Sequence, residues 1–198
     1  MRFNQIKPHI ENLQKIGEGW RGVVYRGRYR GEDLAFKVAS EEQFIPNIQK
    51  EGEILSIVNR EGIGGQLILK GDDFIAYRFI EGKPLKEVIN RENAKILISQ
   101  LLKQARKLDI LGINKEEFHR PYTNVLVDKD LKIHLIDFER ARRGKNIQNV
   151  NQLLQFIMGE GQKYLEPFDK NELIKLAKAY KKEKTDENFQ KILEFLGL

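Results

Sequence analysis

Apolar residues change their spacing partway along this chain. Up to about residue 80 they come in short alternating or continuous runs bounded by glycine, which is a strand pattern; beyond Glu81-Gly82-Lys83-Pro84 they recur every three or four residues, which is a helix pattern. Strands followed by helices point to an α+β fold rather than an alternating α/β one. In the first part, which reads mostly as strands, residues 13–15 lead into the glycine-bearing segment 16–25, residues 27–33 read as a hairpin turn, and 34–39 form an apolar run. Pro46 opens a helix in which Ile48, Ile54, Leu55 and Val58 recur at helical spacing, and two further strands at 66–70 and 74–80 are joined by Gly71-Asp72-Asp73. In the second part, Ala94, Leu97, Ile98, Leu101, Leu102, Ala105 and Leu108 mark a long amphipathic helix that stops before Gly112. Short strands are expected at 125–127 and 133–136, then helices over 147–158, 172–182 and 187–195. The expected division is a strand-rich part with one helix over 1–80 and a mainly helical part over 81–198.

Composition removes several chemistries. The 198 residues include no cysteine, which excludes disulfides, thiol catalysis, zinc ribbons and iron–sulfur clusters together. Three scattered histidines without an HExxH pattern make a dedicated zinc site improbable. No apolar run approaches the ~18 residues of a membrane span, and Met1-Arg2-Phe3-Asn4-Gln5 is not a signal-peptide start. A cytoplasmic protein without a membrane partner is the expectation. Thirty-five Lys and Arg against 29 Asp and Glu give +6, a mild bias toward an anionic partner.

Gly17-Glu18-Gly19-Trp20-Arg21-Gly22-Val23-Val24 fits the pattern G-x-G-x-x-G-x-V. Glycine permits close backbone approach, so such a turn is either a plain hairpin or a phosphate-binding loop. A P-loop would end in Gly-Lys-Ser/Thr, and a dinucleotide fingerprint would start a helix inside the motif; Gly22-Val23-Val24-Tyr25 does neither. The phosphate-binding reading that remains is a glycine hairpin over nucleotide phosphates with a lysine on a later strand. Lys37, in Ala35-Phe36-Lys37-Val38, lies fifteen residues after Gly22 and alternates onto the face opposite Phe36 and Val38. Used otherwise, it would be an edge-strand lysine that opposes aggregation. A buried ammonium needs a carboxylate. Glu51 shares a helix face with Leu55 and Val58, whereas Glu53 is rotated about 200° away, so Glu51 is the expected partner.

With these residues in this order, the chain resembles the protein-kinase-like superfamily over nearly its whole length. The resemblance implies a bilobal fold, with an antiparallel sheet and one helix in the first lobe and a reduced, mainly helical second lobe. Phe79 and Ile80 lie in a segment resembling the adenine-binding hinge, and Gly17, Gly19, Gly22, Val24, Lys37 and Glu51 become the ATP-binding set. Leu135-Ile136-Asp137-Phe138-Glu139 resembles the metal-binding Asp-Phe-Gly segment with Glu139 in place of glycine, which makes Asp137 a Mg²⁺ ligand. Asn124, before a short strand, resembles the metal-binding asparagine of the catalytic loop. Five residues back stands His119, not an acid; aligning Glu117-Phe118 with the acid-leucine pair of related loops makes Glu117 the carboxylate instead. Glu117 is preferred as catalytic base, because a carboxylate beside Mg²⁺ and phosphate stays ionised; His119 is the alternative.

Within the superfamily, Gly17–Tyr25 with its Trp20-Arg21 pair, His119-Arg120-Pro121-Tyr122 and Asp137-Phe138-Glu139-Arg140-Ala141 resemble the small archaeal-type kinases near the RIO group. That group includes a tRNA kinase acting on the ribose 2′-hydroxyl of a variable-loop uridine. The expected helix from residue 147 begins within about ten residues of Asp137 and no A-P-E follows, which leaves little chain for a peptide platform. Arg120, Arg140, Arg142, Arg143 and Lys145 are candidate RNA contacts, or else solvated surface charges. The expected activity is ATP- and Mg²⁺-dependent phosphorylation of tRNA. A RIO-like serine/threonine protein kinase, or a nucleotide-binding pseudokinase adaptor, is the alternative.

Overall fold

Strand alternation decides which way each side chain of the first eighty residues points. The computed structural model describes residues 1–198. A short helix α1 (Phe3–Ile6) precedes β1 (Glu11–Glu18), β2 (Gly22–Tyr29), β3 (Glu32–Ala39), helix α2 (Ile45–Val58), β4 (Leu67–Lys70) and β5 (Phe74–Arg78). The strands make one antiparallel sheet in the order β1-β2-β3-β5-β4. Phe36 lies opposite Tyr25 and Ala76, so these three share a face. That face is covered by α1: the Phe3 ring sits 5.5 Å from Tyr25 and 5.7 Å from Phe74, with Ile6 and Ile10 buried alongside. Each aromatic buried there contributes roughly 1.5–3 kcal/mol. Lys37 lies opposite Val24 and Ile75 on the other face, against which α2 buries Ile48, Leu55 and Val58. Gly52 brings α2 close to that face: a methyl group there would meet Ile75 at 2.8 Å.

Contacts divide the chain into two units, Met1–Glu81 with Leu135–Arg140, and Gly82–His134 with Ala141–Leu198. The segment carrying Asp137 is thus grouped with the first unit although it comes late in sequence. The second unit contains β6 (Lys83–Pro84), α3 (Leu85–Val88), α4 (Ala94–Ile110), β7 (Ile113–Asn114), β8 (Val125–Val127), β9 (Ile133–Leu135, its last residue counted with the first unit), β10 (Arg142–Arg143), α5 (Asn149–Met158), α6 (Lys170–Lys182) and α7 (Asp186–Leu196). Strands β6, β8 and β9 form one small sheet, and β7 pairs with β10. The apolar stripe of α4 is fully buried from Leu97 to Leu108. At its C-terminal end Asp109 is buried with three donors: Asn149 N–H at 3.0 Å, Asn149 Nδ2 at 2.8 Å and the Tyr180 hydroxyl at 2.8 Å. The Tyr180 oxygen in turn accepts from Arg106 at 3.2 Å. No helix is long and apolar enough to cross a membrane.

The fold is α+β, with a five-stranded antiparallel sheet. Two sequence expectations need correction. The turn is not spread over residues 27–33: β2 runs on to Tyr29, which is buried against Phe36, and the chain reverses on Arg30-Gly31, both at positive φ (50° and 83°). That is the two-residue hairpin whose twist matches paired strands. The first part also holds a second helix besides α2, because α1 is only four residues long, too short to leave a periodic signal.

Candidate active site

The first unit gathers three carboxylates around one lysine. Lys37, central on β3, has little freedom between the sheet and α2, and its side chain is 10% exposed. Glu51 reaches it from α2 at 2.7 Å, Asp137 at 3.2 Å and Glu139 at 3.4 Å. Burial by itself pushes the ammonium down, but Glu51 and Asp137, with Glu139 behind them, outweigh burial and hold Lys37 above its ordinary value. The cation is therefore permanent at any working pH. Burial also pushes the Glu51 carboxyl up, against the pull of Lys37 and of the Phe138 N–H, which donates to Glu51 Oε1 at 3.0 Å. Breaking such a buried pair by removing one partner costs about 3–5 kcal/mol. Glu53 faces outward and pairs with Lys70 at 3.5 Å, so helix spacing alone distinguishes the two glutamates.

Asp137 adopts φ 59°, a left-handed conformation that costs a residue with a Cβ about 1–3 kcal/mol unless its surroundings enforce it. The Phe138 ring, buried after it, and the Phe138 N–H bond to Glu51 supply that enforcement. The side chain of Asp137 keeps 46% exposure while touching Lys37, so a side-chain oxygen remains accessible to a ligand. Oxygens of Glu51, Asp137 and Glu139 lie within 4.8 Å of one another. Such hard donors fit Mg²⁺ by chemistry, with Asp137 the most exposed of the three.

The glycine turn is closed by Gly19 N–H donating to the Gly22 carbonyl at 2.9 Å; Gly17 lies one residue before the end of β1 at Glu18, and Gly22 begins β2. Val24 is half-buried on β2, directly across from Lys37. Past β5, the Phe79 N–H donates to the Asp33 carbonyl at 3.0 Å and the Arg26 guanidinium lies 3.7 Å over the Phe79 ring. The Phe79 amide is thus spent on the sheet; Ile80 beside it is half-buried.

In the second unit Glu117 and Asn124 come together: Asn124 Nδ2 donates to Glu117 Oε2 at 2.5 Å. Their loop is fastened to α5 by Lys115 N–H to Asn149 Oδ1 at 2.8 Å and Phe118 N–H to Gln152 Oε1 at 3.3 Å. His119 and Arg120 are exposed at its crest. Arg142, on β10, pairs with Glu116 at 2.6 Å, while Arg143 and Lys145 are exposed. Arg140 is exposed in the first unit. Sequence reasoning missed two elements here. The anchoring side chains Asn149 and Gln152 carry no motif. Arg21 and Glu139, which meet at 2.5 Å, left one usable signal: opposite charges in two segments, one assigned to phosphate and the other to its metal.

No protein-family model matches the chain. It is 31% identical over 86 residues to an uncharacterized protein of Methanocaldococcus jannaschii, an alignment covering 42% of this chain and 72% of that one. It is 30% identical over 149 residues to a probable serine/threonine-protein kinase of Dictyostelium discoideum (67% of this chain, 10% of the relative). Against the sperm motility kinase of Mus musculus, Tcr mutant form, identity is 28% over 163 residues (75% and 33%). The chain spans a third or less of the length of these two kinases. The distant likenesses support a kinase-like superfamily and phosphotransfer as its chemistry.

Proposed function

The chain belongs to one family with the Methanocaldococcus jannaschii protein, and we propose that it acts as an ATP-dependent phosphotransferase on tRNA, moving the γ-phosphoryl group to a ribose 2′-hydroxyl of a variable-loop uridine. The observation that carries the phosphotransferase reading is the Lys37 ammonium, held at 2.7 Å by Glu51 and 3.2 Å by Asp137 beneath a glycine turn. In this reading Gly17, Gly19, Gly22 and Val24 cover the nucleotide, the segment at Phe79 and Ile80 borders the adenine, and Lys37 grips the phosphates. Magnesium, when bound, neutralises phosphate charge and aligns the reacting oxygens; Asp137 and Asn124 are its assigned ligands. Glu117 takes the hydroxyl proton, the ribose oxygen bonds to the γ-phosphorus, and the bond to the β–γ bridging oxygen breaks to release ADP. His119 is the alternative base.

The substrate assignment rests on a shorter argument. Between Asp137 and α5 at Asn149 the chain has room only for the two-residue strand β10 and a bend, and it spends four of those positions on Arg140, Arg142, Arg143 and Lys145. Cations there suit a polyanion better than a peptide. The similarity to named serine/threonine-protein kinases favours a second reading, phosphotransfer to protein. The test is incubation with γ-labelled ATP, Mg²⁺ and total tRNA. Label recovered as a 2′-phosphonucleotide supports the proposal, label on serine or threonine selects the second reading, and binding without transfer selects an adaptor role.

A further inference from the structure

Glu139 carries two cations at once. Its Oε1 accepts from Arg21 Nη1 at 2.5 Å, its Oε2 lies 3.4 Å from Lys37 Nζ, and its side chain is 16% exposed. Arg21 comes from the glycine turn, next to Trp20, which is 84% exposed. All these residues belong to the first unit. A carboxylate bridging a guanidinium and an ammonium meets the same demand that two oxygens of a phosphate would meet, since arginine's planar fork fits both anions. The local charge makes the two mutually exclusive. Lys37 already faces Glu51, Asp137 and Glu139, Arg21 faces Glu139, and a further negative charge brought against the same two cations would be repelled by the Glu139 carboxylate.

We propose that the Glu139 carboxylate occupies the seat of a nucleotide phosphate, bridging Arg21 and Lys37 in the free protein, and that ATP binds by displacing it and taking both cations. Arg21 is then a phosphate ligand from the glycine turn, and the Arg21–Glu139 bridge is the contact that opens when nucleotide enters. This inference rests on the phosphotransferase reading above. Exchange of one anion for another has a specific consequence: removing the resident anion strengthens binding, which mere damage to the fold does not do.

Titration of the full chain with ATP and ADP, with and without Mg²⁺, tests this. Calorimetry gives the affinity, and fluorescence of Trp20, the only tryptophan, reports the turn. Glu139→Gln keeps shape and removes charge; it is expected to tighten ATP binding about tenfold. Glu139→Asp, too short to span both cations, is expected to tighten it less. Arg21→Gln in the Glu139→Gln background is expected to weaken binding about tenfold relative to Glu139→Gln alone. Unchanged or weaker ATP affinity in Glu139→Gln and Glu139→Asp overturns the inference while leaving the phosphotransferase reading intact. A wild-type chain that binds neither ATP nor ADP under any of these conditions overturns both.

Discussion

Replacing Gly52 by alanine opposes local preference to tertiary fit. In an exposed helix interior the change stabilises by about 1 kcal/mol. Here the added Cβ would stand 2.8 Å from Ile75 Cγ2 and 3.5 Å from Lys70 Cδ, so it falls 0.6 Å short of ordinary contact with Ile75 at 3.4 Å. Ile75 is fully buried in the middle of the sheet and has nowhere to go. The helix must yield, and overpacking of this kind costs about 1–3 kcal/mol. A shift of α2 by the missing 0.6 Å stretches the Lys37–Glu51 contact from 2.7 Å to about 3.3 Å, beyond a good charge-assisted hydrogen bond. The net effect on stability is therefore a loss of roughly 0–2 kcal/mol, a Tm drop of up to about 8 °C for a chain of this size. The effect on phosphotransfer is larger, about tenfold or more, because the displaced residue adjoins Glu51. Differential scanning calorimetry and the labelled-ATP assay measure the two effects separately, and Glu53→Ala, on the outward face, is the control that changes neither by much. A Gly52→Ala protein that melts 2–4 °C higher and transfers phosphate at the wild-type rate would refute the reasoning.

Lys37→Ala and Asp137→Ala are each expected to abolish phosphotransfer while leaving tRNA affinity, measured by filter binding, within about twofold. Joint reversal of Arg142 and Arg143 to glutamate is expected to do the opposite, lowering tRNA affinity about tenfold or more and flattening its salt dependence; unchanged binding would count against the RNA assignment. Tyr180→Phe removes the hydroxyl that donates to buried Asp109 at 2.8 Å and is expected to cost about 1–3 kcal/mol in urea unfolding. The carboxylate of Asp128 accepts from His134 at 2.9 Å and from the Asp130 and Lys132 N–H groups, and the His134 bond first among these holds its carboxyl below the ordinary value. A depressed acid adds stability above its unfolded pKa of about 3.9 and loses it as pH falls through the folded value. Asp128→Asn should therefore cost about 1 kcal/mol at pH 7, discounted for partial exposure, with the gap to wild type closing below pH ~4.

Much of the architecture was readable because it rests on spacing. The strands at β3, β5 and β8 and the helices α4 to α7 follow from alternation or from a three-to-four repeat, and their ends are set by Gly112, Asp169 and Thr185, the last two as side-chain caps. The same spacing told Glu51 from Glu53. What escaped was structure whose cause lies far away in sequence. Helix α1 exists because Phe3 and Ile6 find the back of the sheet some twenty to seventy residues later, and four residues carry no period of their own. The Arg30-Gly31 turn was blurred because the polar strand end before it reads like loop until Tyr29 is known to be buried. Asn149 and Gln152 look like ordinary polar residues until α5 is seen beneath the loop they hold. Glu139 read as an exception to a motif; its partner 118 positions earlier gives it a structural role.

Asp109 also bears on how far this protein can be shortened. Tyr180 lies on α6, so a fragment ending before residue 170 would strip one of three donors from a carboxylate sealed inside the unit, and would remove the Tyr180 and Asp186 partners of Arg106. Asn149 ties that carboxylate to the segment leading into Glu117 through its own bond to Lys115. The last thirty residues are therefore a foundation for the Glu117–Asn124 loop, and minimised versions intended for engineering should take their deletions elsewhere.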